Sequence, residues 1–210
     1  MTQVTQPTKA NLIRQLMGHR VSKLQHDYLE SSSPFNSEAV AMLARLRRCK
    51  VDEPGADPTV WAVTLADIPE GLRWDNASSP AERSIHAGFV LYAVHQQSQR
   101  VGVHRPGISL GSAVRELAQA RSHEGEPDQS VVRRLHQVAL ANDESGRLYF
   151  LRGVINLLRS EERPIALDYA KLTEDLWRLS DPYQDNTRVV AHWGRDLHNR
   201  SGSTKSGEDE

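Results

Sequence analysis

The chain has 210 residues, of which 38% are hydrophobic and 25% are charged, and its formal net charge is −1. This length suffices for one large helical domain or two small ones, and the composition excludes an intrinsically disordered chain. The single cysteine, Cys49, excludes an intramolecular disulfide framework, and no apolar stretch approaches the roughly 20 residues that a membrane-spanning helix needs.

The first fifty residues predict two helices. Thr8 can cap a first helix that runs to about Tyr28, and the serine-rich sequence after it ends at a proline. Asn36 or Ser37 can cap a second, shorter helix, because the residues that follow show the apolar i, i+3, i+4, i+7 pattern of a buried helix face. Its apolar residues are Ala39, Met42, Leu43 and Leu46. Residues 52–58 are rich in turn formers and are the best candidate for an internal boundary.

Capping residues mark most of the later helices. Asp57-Pro58 and Ser79-Pro80 each combine an N-cap with a proline at the first helical position. Further helices are expected to begin after Ser109, Asp128 and Asp168. Asn142-Asp143 is expected to break the helix that follows Asp128, before an apolar run from Leu148 to Leu158. A last helix is expected over about Gln184 to Asn199. Residues 201–210 hold no apolar side chain and are expected to be disordered.

Helical signals therefore dominate, strand signals are nearly absent, and the fold class predicted is all-α with no sheet. We divide the chain into N-terminal helices with a basic arginine cluster (1–56), a main helical region (57–200) and a disordered tail (201–210). No N-terminal segment combines a basic start, an apolar run and a small-residue cleavage site, so we expect a cytoplasmic protein without membrane contact.

The charge is unevenly distributed along the chain. Residues 9–50 hold eight basic residues against three acidic ones, whereas residues 51–82 hold seven acidic residues against Arg73. Residues 83–163 carry eleven arginines against eight acidic residues. A surface potential is screened within about 10 Å at ~0.1 M salt, so a nearly neutral protein with basic faces can still hold a nucleic acid. Ordinary solvated helix faces would give the same pattern.

Three arginine clusters lie beside apolar helix stripes. Arg45 and Arg48 are neighbours on the second helix, and Arg47 adds a third guanidinium beside them. On the helix after Asp128, Arg133 points away from the expected core and Arg134 lies on its flank; Arg152 and Arg159 share one edge of the next helix. Guanidinium groups bind phosphate bidentately, so the clusters could line a shared groove for a nucleic-acid backbone. Salt bridges between helices or packing of the aliphatic stems over the core would explain them too.

Catalysis has weak support from the sequence. His26-Asp27 is similar to the doublet of metal-dependent HD phosphohydrolases, which need two further ligands. His192 and Asp196 lie one helical turn apart and could both touch one metal ion, but an exposed polar face of the last helix is the simpler interpretation. Ser109 and Gly111 open a helix whose N-terminus could attract an anion, although capping and close helix packing account for them equally. We expect no enzyme, metal or cofactor. Trp177 and Trp193 are expected in the core, and Trp61 and Trp74 at a protein contact.

Several segments in this order resemble the CasB family, the small subunit of the type I-E CRISPR complex Cascade. They are LARLRR (43–48), GISLG (107–111), RRLHQ (133–137), LRGVINLL (151–158) and LDY (167–169), followed by a tryptophan-bearing C-terminal helix. The resemblance covers roughly residues 35–198. It does not extend with confidence to the first helix, the acidic stretch 52–75 or the tail.

The resemblance implies an all-helical fold of two packed bundles without a catalytic site. It implies membership of a CRISPR-RNA-guided surveillance complex for antiviral defence, in which two copies contact the large and backbone subunits. It also implies a stabilising role for the RNA–DNA hybrid and the displaced DNA strand. The basic residues that carry over are Arg45, Arg47, Arg48, Arg133, Arg134 and Arg152, in contact with CRISPR RNA or target DNA. The alternative is a helical protein-interaction scaffold whose arginines pair with carboxylates.

Overall fold

The computed structural model describes residues 7–180 and 186–199. In this part of the chain nine α-helices follow one another, with two 3-10 turns at Pro58–Val60 and Glu70–Leu72. The helices are α1 (Lys9–Leu29), α2 (Asn36–Leu46), α3 (Trp61–Thr64), α4 (Pro80–Gln96), α5 (Leu110–Ala120), α6 (Gln129–Leu140), α7 (Glu144–Ser160), α8 (Tyr169–Ser180) and α9 (Asn186–His198). The described residues contain only two isolated β-bridges and no strand, so the all-α prediction is confirmed.

The helices pack as two bundles, as the family resemblance implied. The first bundle contains α1, α2, α4 and α8, with the short α3 against α4, and the second contains α5, α6, α7 and α9. Contacts of α4 with α7 and of α8 with α9 join the two. Neither bundle is a continuous stretch of chain, because α4 and α8 complete the bundle that α1 and α2 begin. The linker at 52–58 therefore does not coincide with the border between the bundles.

Helix α4 is the central element of the fold. It packs against α1, α2, α7 and α8, and nearly all of its residues are buried, including Phe89 and Tyr92. A helix that is surrounded by other helices has no solvent face, which is why its sequence lacks a polar stripe. Its start is fixed by a capping box, in which Ser79 and Glu82 each accept a hydrogen bond from the other's backbone N–H.

Local capping determines where the other helices begin. At most of the predicted caps a side-chain oxygen accepts a hydrogen bond from a backbone N–H two or three residues later, which satisfies a donor that the helix itself leaves unpaired. These caps are Thr8, Ser109, Asp128 and Asp168, and Asp57 plays the same part for the first 3-10 turn. Asp143 also accepts from the Gly146 N–H, so α7 begins at Glu144, earlier than the predicted apolar run.

The predicted cap of α2 was wrong. Asn36 is the first residue of the helix, the N-cap position is Phe35, and no side chain caps it. The Asn36 amide instead donates to the carbonyl oxygens of Asp27 and Tyr28, at 3.1 and 2.9 Å. These are among the last carbonyls of α1, which have no partner within the helix, so Asn36 ties the end of α1 to the start of α2.

The core is built from both bundles. Trp177 and Trp193 are buried, as predicted, whereas Trp61 and Trp74 are exposed. No helix within residues 7–180 and 186–199 combines the length and the apolar character that crossing a bilayer requires. The predicted start of the last helix at Gln184 and the predicted disordered tail 201–210 lie outside the described residues.

Candidate nucleic-acid interface

Helices α6 and α7 form a hairpin with a basic outer surface. Val131, Leu135 and Val138 of α6 are buried, and Arg147 of α7 donates to the carbonyl oxygen of Ala141 at 2.8 Å, which fastens the loop between the helices. Residues 129–160 carry five arginines against two acidic residues, both of them at the loop. The local field over the hairpin is therefore positive even though the whole chain is nearly neutral.

The hairpin carries three of the six predicted site arginines. Arg133 and Arg134 of α6 are both exposed, and Arg152 of α7 is half-buried. The Nη1 atom of Arg134 lies against α7 at Gly153, 3.9 Å from where a Cβ would stand on that glycine. Arg134 therefore lies next to the residue that follows Arg152. Arg133 faces a neighbouring surface depression of about 510 Å³ between the two helices, beside Phe150.

None of the six predicted site arginines makes an ion pair with a carboxylate among the described residues. Several other arginines do, and these include Arg14, Arg20, Arg83, Arg121 and Arg178. Arg159, which the sequence placed on the same edge as Arg152, is also engaged, because it donates to Gln97 Oε1 at 2.7 Å. The predicted arginines are therefore available for an outside anion, a property that they share with other exposed arginines such as Arg73 and Arg100.

The arginines of α2 lie in the other bundle. Arg45 is near the end of the helix, Arg47 follows its last residue, and Arg48 is exposed. Asp57 lies close to Arg45 and Arg48. Hydrogen bonds from Thr59 lower the pKa of the Asp57 carboxyl, and the positive charges of these two arginines lower it further. This cluster thus has Asp57 as an acidic neighbour, while on the α6–α7 hairpin Asp143 lines the same depression as Arg133.

The loop after α2 connects the arginine clusters. The Lys50 carbonyl oxygen lies 2.8 Å from His86 Nε2 of the central helix α4. Two residues later, Asp52 accepts a hydrogen bond from the Ser145 hydroxyl at the start of α7, at 2.9 Å. The segment that carries the α2 cluster therefore reaches the loop end of the α6–α7 hairpin. That all six arginines line one groove stays a prediction.

The residues considered for catalysis have structural partners. Asp27 is buried and pairs with Lys23 at 2.6 Å, while His26 is exposed. His192 pairs with Asp196 at 3.3 Å, and Asp196 also accepts from the Ser109 hydroxyl at 2.5 Å. In the part of the chain that the structure describes, no group of three or more histidine, cysteine, aspartate or glutamate side chains could hold a metal ion.

Gly111 serves close helix packing. A Cβ on this residue would lie 2.9 Å from the carbonyl carbon of Trp193 and 3.1 Å from the Cβ of Asp196. Helix α5 therefore approaches the backbone of α9 at a distance that only glycine permits. Ser109 and Gly111 were considered either as an anion site or as residues that serve capping and close helix packing. These contacts support capping and close packing.

Sequence reasoning missed the two most exposed large hydrophobic residues of the hairpin. Leu140 of α6 is 77% exposed and Tyr149 of α7 is 74% exposed. Tyr149 lies within the run from Leu148 to Leu158, which was predicted to be apolar. The signal that could have found it is the helical spacing, because Tyr149, Arg152 and Asn156 follow one another at i, i+3 and i+7 on one face.

Comparisons with known proteins agree in pointing to one group. The family described as CRISPR-associated protein Cse2 matches residues 42–198. The crystal structure of CasB from Thermobifida fusca is similar to this chain, with 31% sequence identity and a TM-score of 0.68. That match covers 90% of this chain and 98% of the CasB chain. No curated protein matches the sequence.

Proposed function

Since this chain belongs to the Cse2 family of CRISPR-associated proteins, we propose that it is a non-catalytic small subunit of a CRISPR-RNA-guided Cascade complex. Its task is to hold a nucleic-acid backbone, and so to stabilise the RNA–DNA hybrid and the displaced DNA strand during target recognition. Its place of action is the cytoplasm, and its partners are CRISPR RNA, target DNA, the large and backbone subunits, and a second copy of itself.

The observation that carries this proposal is the set of arginines without carboxylate partners on the α6–α7 hairpin. Arg133 and Arg134 are exposed and Arg152 is half-buried, and none of them forms an ion pair within the described residues. An arginine whose charge is not compensated inside the protein keeps its attraction for phosphate, and its planar group can donate two parallel hydrogen bonds to one phosphate. Such contacts need no particular base sequence.

The energetic role follows from the balance of strand exchange. When a guide RNA pairs with one strand of an opening DNA duplex, DNA–DNA base pairs are replaced by RNA–DNA base pairs of similar stability. A few backbone contacts to the hybrid or to the displaced strand can therefore shift the equilibrium. Phosphate contacts of this kind are electrostatic, so their contribution to the binding affinity falls as the salt concentration rises.

The second candidate is a protein-interaction scaffold, and two features favour it. Trp61 and Trp74 are exposed, and the Trp61 indole donates to the Gly55 carbonyl oxygen at 2.9 Å, which holds its ring at the surface. Arg45 and Arg48 have Asp57 as an acidic neighbour. Exposed tryptophans are common at protein contacts, so this side of the first bundle suits a partner subunit. The absence of carboxylate partners at Arg133, Arg134 and Arg152 in the described chain does not fit the scaffold as the whole function.

The test compares two double variants in the assembled complex. Arg133→Ala with Arg134→Ala removes two exposed side chains from α6. We expect retention of single-stranded DNA to weaken about tenfold, because two exposed charge contacts contribute roughly 0.7 kcal/mol each. Arg73→Ala with Arg100→Ala is the matched control, since both of these arginines are exposed and it removes the same charge elsewhere.

Circular dichroism should show equal helix content in both double variants. The proposal requires the α6 variant to lose affinity while the control keeps it. Equal loss in both variants would mean that only the overall charge matters. Full retention by the α6 variant would leave the scaffold as the better account.

A further inference from the structure

Helix α7 exposes an aromatic ring between two arginines. Tyr149 is 74% exposed, and its contact with Phe150 is T-shaped, with ring centroids 5.6 Å apart and an interplanar angle of 71°. This contact holds the ring at its edge and leaves most of it in solvent. The exposed ring is a flat, partly apolar surface that is accessible to a ligand.

The positions around α7 define what surrounds this ring. At 100° per residue, Arg152 projects about 60° to one side of Tyr149 and Gly153 about 40° to the other. The guanidinium of Arg134 occupies the space at Gly153, so one arginine stands on each side of the tyrosine. Asn156, which is exposed, lies one further turn along between them. We call Arg134, Tyr149, Arg152 and Asn156 the α7 outer face.

We infer that the α7 outer face binds single-stranded nucleic acid by stacking an unpaired base on Tyr149 while Arg134 and Arg152 hold the flanking phosphates. This inference rests on the proposed function, which requires backbone contacts but no base contact. An aromatic ring beside cationic side chains is the combination that binds single strands without sequence preference, because every base presents a π-face and every nucleotide a phosphate.

The charges of the face favour a nucleic acid over a protein. Arg134 and Arg152 have no carboxylate partner among the described residues, and an apolar protein patch laid on Tyr149 would desolvate two unpaired cations. A nucleotide strand supplies the stacking surface and the two anions together.

The experiment uses the full chain and an oligothymidylate that carries one aminopurine, an adenine analogue whose fluorescence falls when it stacks. With the unchanged protein we expect quenching on binding at low salt. Tyr149→Ala should weaken binding about tenfold and abolish the quenching, since stacking on one aromatic side chain is worth roughly that factor. Tyr149→Phe should keep both affinity and quenching.

Tyr149→Leu separates stacking from simple apolar contact. We expect it to behave like Tyr149→Ala, and a leucine variant that binds as well as the unchanged chain would overturn the inference in favour of an apolar protein-type contact. Arg134→Ala should weaken binding and flatten its salt dependence while the residual complex still quenches the probe. If the unchanged chain binds and Tyr149→Ala binds equally well, the stacking inference fails and the proposed function stands. If the unchanged chain binds no single strand at low salt, both fail.

Discussion

Replacing Gly111 with alanine should loosen the contact between α5 and α9. A Cβ at this position would stand 2.9 Å from the Trp193 carbonyl carbon, closer than non-bonded carbons approach, and 3.1 Å from the Asp196 Cβ. The obstacle is helix backbone rather than the end of a flexible side chain, so α9 itself has to shift. Overpacking of this kind costs about 1–3 kcal/mol, from which alanine's better helix propensity recovers less than about 1 kcal/mol.

We therefore expect Gly111→Ala to lower the free energy of unfolding by about 1–2 kcal/mol, or the melting temperature by roughly 3–6 °C for a chain of this size. Urea denaturation followed by circular dichroism measures it. Gly194→Ala is the matched control, because Gly194 lies in α9, the helix that Gly111 of α5 packs against, and a Cβ there would have no heavy atom within 4 Å. A Gly111→Ala protein as stable as the Gly194→Ala protein would refute the close packing of α5 on α9.

Three further predictions concern stability and charge. Burial lowers the pKa of His95 to about 3, so the unfolded chain binds a proton that the folded chain excludes as the pH falls below about 6.5. The free energy of unfolding should therefore decrease by about 2 kcal/mol between pH 7 and pH 5. The His95→Gln variant should lose that part of the pH dependence, whereas the variant His136→Gln, at an exposed position, should keep it. A pH profile of His95→Gln parallel to that of the unchanged chain would contradict this assignment. Ser79→Ala should cost about 1 kcal/mol in thermal unfolding, since it removes the cap of the central helix, and an unchanged melting temperature would argue against the capping box. Gly88→Ala should destabilise the α4–α8 contact, because the new Cβ would overlap the Thr173 hydroxyl and stand 3.2 Å from the end of Met17; stability equal to that of the unchanged chain would speak against this contact.

The helix starts could be predicted because capping is local. Ser79, Ser109 and Asp128 bond to backbone groups within three residues, and the sequence shows both partners at once. The failure at Asn36 has the opposite cause. Its amide turns back to the carbonyls of α1, a contact that depends on how the two helices meet and that propensity cannot reveal.

The pairing of distant helices could not be predicted from periodicity. An apolar stripe shows that a helix buries one face, but not which helix covers it, and α1 finds its most extensive contact in α8. The candidate site has the same limit. Arg14 and Arg133 both lie on predicted helices, yet Arg14 lies beside Asp168 and Glu174 whereas Arg133 forms no ion pair with a carboxylate in the described chain. Only the folded chain separates structural arginines from available ones.

The salt dependence of single-strand binding tests the central claim most directly, because it reports the number of phosphate contacts rather than affinity alone. In a plot of log affinity against log salt concentration, each phosphate contact to a single strand contributes a slope of about 0.7. Removing Arg133 and Arg134 together should therefore reduce the slope by about 1.4, while the Arg73 and Arg100 double variant keeps the original slope. Parallel lines for the unchanged chain and the Arg133 and Arg134 variant would contradict the account.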